Sequence, residues 1–162
     1  MKTAIVYYSL EGNTELVANQ LAAMLSADCI ALHPTKQYPT GVVSKFIWGG
    51  KSAVFADEPE LENYVFDSSQ YDLVILGTPI WAGTFVPPLR TFLKQQKLAN
   101  KNIALYACCA GGSTARCFQK LKEELPGCTV LGELTLVDPK RNEMQAKQEI
   151  EAFGNHIIQT LS

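Results

Sequence analysis

The sequence predicts an α/β fold in which helices cover both faces of a five-stranded parallel sheet, a three-layer doubly wound sandwich. Five apolar runs rich in Val, Ile, Leu and Tyr alternate with segments of helical period. The runs are too continuous for a sheet with one exposed face, and burial on both faces of a parallel sheet explains that continuity. The 162 residues contain no internal repeat, low-complexity tract or linker. We therefore expect residues 1–162 to form a single domain.

The first two strands and the helix between them are short and well marked. "TAIVYYS" from Thr3 is an apolar strand, residues 14–25 repeat Leu or Val at helical spacing, and "CIALH" from Cys29 is the second strand. The connection that follows, residues 33–71, is long. We expect a helix near residues 41–54, followed by the acidic stretch "ADEPELENYVFD".

The second half continues the alternation, with apolar runs for strands and a 3.6-residue repeat of Leu, Ile or Phe for helices. The elements are the strand "DLVILGT" from Asp72, the helix 86–98, the strand "NIALYACC" from Asn102, the helix 113–125, the strand "TVLGELTLVD" from Thr129 and the helix 142–161. Strands joined by helices in this way make right-handed crossovers within one sheet.

Composition narrows the class of protein. A net charge of -2 argues against nucleic acid as the main partner, because binding to a phosphate backbone needs a basic surface. The apolar run at the N-terminus is too short for the core of a signal peptide, and no run reaches membrane-spanning length. The five cysteines include no CxxC pair, which favours reduced, mostly buried thiols and a cytoplasmic location, with no metal site.

Three loops of unusual composition follow strand ends. They are "SLEGNT" after the first strand, "GTPIWAGTFVPP" after the third and "ACCAGGSTAR" after the fourth. In open α/β sheets, ligands bind beyond the carboxyl ends of the strands, where the strand order reverses. The three loops therefore predict one ligand site at that edge.

The first loop is suited to an anion. Gly12 permits a tight turn, and the backbone N–H groups near Asn13 and Thr14 begin a helix whose N-terminus carries a partial positive charge. Ser9 can add a hydroxyl donor. The alternative is that Asn13 or Thr14 only caps the helix. A Walker P-loop would need GxxxxGK[ST] and a dinucleotide fingerprint would need GxGxxG, and neither pattern is present.

The other two loops indicate a flat ligand. Trp81 stands directly after a strand end, where it either covers a planar group or packs into the core. Gly111 and Gly112 provide a glycine-rich loop opposite. A phosphate loop beside an aromatic wall suits a monophosphate that bears a planar ring.

In these motifs the chain resembles the flavodoxin family, specifically its short-chain, flavodoxin-like members that bind flavin mononucleotide (FMN). "SLEGNT" is similar to the family's phosphate loop, "TPIWAGTFVPPLRTFL" to the flavin-ring loop and "ACCAGGST" to the third loop. The resemblance spans the whole chain and implies the strand order 2-1-3-4-5. The last strand lacks the insertion of long-chain members.

The resemblance implies a set of FMN contacts and no catalytic residue or metal. The implied contacts are Ser9, Leu10, Glu11, Gly12, Asn13 and Thr14 for the phosphate, Thr78, Pro79, Ile80, Trp81, Ala82 and Gly83 for the ring and ribityl chain, and Cys109, Ala110, Gly111 and Gly112 for the other ring edge. Glu11 departs from the family pattern, which has Thr or Ser there. Since a carboxylate repels a phosphate dianion, we expect the Glu11 side chain to turn toward solvent.

The resemblance leaves two functions open. One is an electron carrier that shuttles electrons between a reductase and an acceptor protein. The other is an enzyme, an NAD(P)H-dependent FMN or quinone reductase. A flavin-free interaction module is less favoured than either. The short chain favours the carrier, whereas the small net charge lacks the strongly acidic face that often steers partners. Trp48 is a candidate for a partner or dimer surface, and the oligomeric state is left open.

Overall fold

The computed structural model describes residues 1–40 and 56–162. The strands are β1 (Thr3–Tyr7), β2 (Asp28–Ala31), β3 (Leu73–Pro79), β4 (Asn102–Cys109) and β5 (Thr129–Val137), and the helices are α1 (Asn13–Leu25), α2 (Pro87–Gln95), α3 (Ala115–Glu123) and α4 (Glu143–Leu161). Each of these helices begins and ends within three residues of its predicted limits. The helix expected near residues 41–54 and the candidate surface at Trp48 lie outside the described residues.

The predicted sheet is confirmed. All neighbouring strands pair in parallel, in the order β2-β1-β3-β4-β5. The order reverses between β1 and β3, so the loops that follow these two strands diverge and leave a crevice at their carboxyl ends. None of the helices within the two described ranges is long and apolar enough to cross a membrane.

The core consists of two apolar layers, one on each face of the sheet. Ala4 and Val6 of β1 pack with residues of α2 and α3, whereas Ile5 and Tyr7 pack with residues of α1 and α4. Successive side chains of a strand point to opposite faces, and the four residues are all buried. Burial on both faces explains why the sequence of β1 is apolar without alternation.

The prediction of burial on both faces is wrong for the two edge strands. β2 has only one buried residue, Ile30, and Cys29 on this strand is exposed. β5 buries only Leu134 and Leu136, which alternate with exposed residues. An edge strand has a neighbour on one side alone, so part of its surface remains open to solvent.

A contact between β3 and β4 fixes the start of α1. Gly77 and Tyr106 are register partners, and a Cβ atom added to Gly77 would overlap the Tyr106 ring. The ring therefore lies against the bare glycine backbone. Its hydroxyl donates a 2.9 Å hydrogen bond to the carbonyl oxygen of Thr14, in the first turn of α1. The buried strands thus position the helix end that borders the crevice.

Candidate functional site

The loop after β1 exposes the backbone donors of a helix N-terminus. Gly12 precedes α1 with a left-handed φ of 93°, a conformation that glycine adopts without a Cβ penalty. Its N–H donates a 3.1 Å hydrogen bond to Ser9 Oγ, which closes the loop. The N–H groups of Asn13, Thr14 and Glu15 belong to the first turn, where no preceding helical carbonyl can accept them. This end of α1 is a ready binding site for an anion.

The loop after β3 forms a tight turn that carries Trp81. Trp81 and Thr84 exchange backbone hydrogen bonds of 3.0 and 3.1 Å. The two residues between them, Ala82 and Gly83, have positive φ angles of 48° and 73°, as in the type I′ turns of two-residue hairpins. The turn presents Trp81 at the edge of the crevice.

Two tyrosines hold the Trp81 side chain. The Trp81 ring lies 5.7 Å from the ring of Tyr8 and 5.0 Å from that of Tyr38, both in edge-to-face geometry. Burial, with a smaller contribution from Tyr38, raises the pKa of Tyr8 far above its usual range. The phenol therefore stays neutral, and the three rings form a stable apolar wall. Trp81 was expected either to cover a planar group or to pack into the core. Its ring packs against the two tyrosines and also lines the crevice.

The loop after β4 closes the opposite side. The N–H of Ile80 donates a 3.0 Å hydrogen bond to the carbonyl of Cys108, which joins this loop to the previous one. Burial raises the pKa of the Cys108 thiol to about 12, so the thiol is protonated at neutral pH. Beyond Ala110, the glycines Gly111 and Gly112 are exposed, with φ angles of 139° and 91°.

These loops enclose a cavity of about 240 Å³. Its lining contains most of the residues that the sequence predicted, from all three loops. They are Ser9, Leu10, Glu11, Asn13, Thr14, Pro79, Ile80, Trp81, Ala82, Cys109 and Ala110. Glu11 is an exposed residue that also lies in the cavity lining, and the turn of its side chain toward solvent stays a prediction.

Five predicted contacts do not line the cavity: Gly12, Thr78, Gly83, Gly111 and Gly112. Thr78 is fully buried, and its hydroxyl is used internally, because it donates to the Pro79 carbonyl at 2.7 Å and accepts from the Val86 N–H at 3.1 Å. Gly12 and Gly83 shape their loops through positive φ angles.

A fourth loop, after β5, also reaches the site and was missed from the sequence. Asp138 lines the cavity with a φ of 41°, and its N–H donates a 2.9 Å hydrogen bond to the Cys109 carbonyl. Lys140 contacts the loop after β1 at Glu11 and Asn13. The signal was present in "VDPKRN", where charged residues follow a strand that ends at the same edge of the sheet.

Solved structures share this fold. A flavoprotein from Lactobacillus acidophilus in complex with FMN has a TM-score of 0.73 at 22% identity, over 88% of this chain and 97% of that one. A protein from Bacteroides eggerthii, described as a flavoprotein, has a TM-score of 0.78 at 21% identity, over 94% of each chain. Two-electron reduced flavodoxin from Megasphaera elsdenii has a TM-score of 0.61 at 20% identity, over 94% of this chain and 98% of that one.

Two sequence comparisons were informative to different degrees. The comparison with curated proteins finds no match. A family model described as Flavodoxin, however, matches residues 2–153, which is nearly the whole chain. With the strand order and the loops that surround the crevice, this match shows that the chain belongs to the flavodoxin family.

Proposed function

We propose that the protein binds FMN in the crevice and carries electrons between redox partner proteins. The observation that supports this best is the meeting of two features in one cavity. The open N–H groups at the start of α1 suit a phosphate group, and the wall at Trp81 suits a planar ring. The Lactobacillus acidophilus flavoprotein of the same fold was crystallised with FMN. When bound, the flavin would supply the electron-accepting chemistry.

The residues of the site fit this group in chemistry. Asn13 and Thr14 would hold the phosphate through backbone N–H groups, and Ser9 would support the loop from within. Ile80 and Trp81 would face the ring from one side and Cys109 from the other. The buried thiol of Cys108 is protonated, so it adds no negative charge to the site.

The length of the chain favours a carrier over an enzyme. At 162 residues, little chain is left beyond the five strands and their helices to build a second substrate site. A flavin held in the crevice would keep part of its surface accessible, which suits electron transfer to a docked protein. A reductase would need further room for a nicotinamide against the flavin.

The proposal also covers the partner proteins, the cellular location and the extent of the domain. The exposed acidic run of Asp57, Glu58, Glu60 and Glu62 would attract basic surfaces of partner proteins. All five cysteines are free thiols, which supports work in the reducing cytoplasm. We also propose that residues 1–162 form one FMN-binding domain.

The small net charge of -2 favours the alternative, an NAD(P)H-dependent FMN or quinone reductase. The two functions are separated by mixing the FMN-loaded protein with NADH or NADPH and following the flavin absorbance without oxygen. A carrier keeps its flavin oxidised for many minutes and needs an added reductase protein. Rapid bleaching by either nicotinamide alone would contradict the proposal and establish the enzyme.

A further inference from the structure

Lys140 connects the loop after β5 to the loop after β1. Its backbone N–H donates a 3.1 Å hydrogen bond to Asn13 Oδ1, and its Nζ donates a 2.9 Å hydrogen bond to the carbonyl oxygen of Glu11. These two hydrogen bonds join residues that are 127 and 129 positions apart in the sequence. The side chain and backbone of one residue thus contact both ends of the turn at Gly12.

The ammonium group of Lys140 lies against Gly12. A Cβ atom added to Gly12 would stand 3.2 Å from Nζ, 3.6 Å from Cδ and 3.8 Å from Cε of Lys140. The lysine side chain therefore occupies the space that a larger residue at position 12 would need. This places a full positive charge beside Gly12, the residue that directly precedes the first turn of α1.

The charge matters because the site contains two carboxylates. Glu11 and Asp138 both line the cavity, and a phosphate dianion placed among them would be repelled. The segment from Ser9 to Thr14 contains no Lys or Arg. Lys140 brings a cation to this segment from another loop, and a lysine ammonium is a compact charge with three donors. Among the residues that the structure describes, the Glu11 carbonyl accepts a hydrogen bond from one of these donors.

We propose that Lys140 recognises the phosphate group of FMN and increases the preference for FMN over riboflavin. This inference rests on the proposed function, because it concerns the same site. It assigns a part of phosphate recognition to a residue far from the phosphate loop in the sequence. The preference for the phosphorylated flavin then depends on one side chain as well as on backbone donors.

The test measures the affinities of the flavin-free full chain for FMN and for riboflavin, at low and at high salt. The variants are Lys140→Gln, which removes the charge, and Lys140→Arg, which keeps it. Lys147→Gln is the matched control, because Lys147 is an exposed lysine within α4 that pairs with Glu151 and does not line the cavity. Thermal unfolding of each flavin-free variant reports any loss of stability.

We expect Lys140→Gln to weaken FMN binding by about tenfold, which corresponds to about 1.4 kcal/mol. Riboflavin binding should change by less than about twofold, because riboflavin has no phosphate group with which Lys140 could form a charged hydrogen bond. Lys140→Arg should retain most of the FMN affinity, and Lys147→Gln should match the wild type. High salt should reduce the difference between the wild type and Lys140→Gln.

Three results would overturn the inference. Unchanged FMN affinity in Lys140→Gln would show that the charge has no part in binding. Equal weakening of FMN and riboflavin would show that Lys140 only holds the loop. An equal loss of FMN affinity in Lys147→Gln would show that the loss follows the net charge of the protein and not the position of Lys140. A wild-type protein that binds neither flavin would instead refute the proposed function itself.

Discussion

Substitution of Gly77 by alanine should disturb both the core and the cofactor site. The added Cβ would overlap the ring of Tyr106, which is fully buried. Any shift of the ring also displaces the hydroxyl that donates to the Thr14 carbonyl at 2.9 Å. Because Thr14 belongs to the first turn of α1, the displacement reaches the groups proposed to hold the phosphate.

The expected cost follows from these two contacts. Overpacking of a well-packed core costs about 1–3 kcal/mol, and the loss of a hydrogen bond of this kind costs about 0.5–1.5 kcal/mol. We therefore expect Gly77→Ala to lower the free energy of unfolding by about 2–4 kcal/mol, and to weaken FMN binding as well. Urea unfolding of the flavin-free protein measures the first quantity, and titration with FMN measures the second.

A double-mutant cycle isolates the contact between the two residues. In a Tyr106→Leu background the ring is absent, so alanine at position 77 should cost less, with a coupling free energy of at least about 1 kcal/mol. A Gly77→Ala protein within about 0.5 kcal/mol of the wild type would refute the close approach of ring and glycine. Equal costs in the two backgrounds would show that the alanine acts through some other contact.

Two other predictions concern charge in and around the site. Asp138→Asn should tighten FMN binding by about two- to fivefold and leave riboflavin binding the same, because it removes a carboxylate from the cavity lining. Asparagine tolerates the φ of 41° at this position, so the loop should keep its shape. Weaker FMN binding would mean that the carboxylate is needed. Burial raises the pKa of Cys108 from 9.0 to about 12, so the protonated thiol contributes stability that is complete below the lower value and is lost as the pH rises toward the upper one. Burial raises the pKa of Cys117 to about 12 as well, so both thiols contribute to the fall in stability that urea unfolding should show in that window. Cys108→Ala should make this fall shallower by about 1.4 kcal/mol per pH unit, and equal slopes for the two proteins would contradict this.

The sequence was sufficient to predict the architecture, because burial on both faces of the central strands leaves an unbroken apolar signal. The same apolar signal gave a wrong prediction for the two edge strands, β2 and β5. "CIALH" and "TVLGELTLVD" are almost as apolar as the central strands, yet Cys29 is exposed and β5 alternates between buried and exposed residues. Which strand lies at an edge depends on the strand order, which the apolar runs do not determine and which was predicted from the resemblance to the flavodoxin family.

The candidate site was predictable where its residues are continuous with strand ends. Ser9 and Trp81 lie in loops whose composition is unusual by itself. Asp138 and Lys140 were missed because their loop is short and polar, like many solvated loops, and because their contacts are with residues on other loops. For Thr78, the hydroxyl could be assigned to the ligand or to the turn, and only the structure shows that it binds Pro79 and Val86.

The central claim is that the crevice binds FMN through its phosphate and its ring. The most direct test is titration of the flavin-free full chain with FMN and, separately, with riboflavin, followed by the flavin fluorescence. We predict one FMN per chain and a riboflavin affinity that is lower by orders of magnitude, since several hydrogen bonds to a charged group, each of about 1.5–3 kcal/mol, are lost with the phosphate. Equal affinities for the two flavins, or no binding of FMN, would contradict the account.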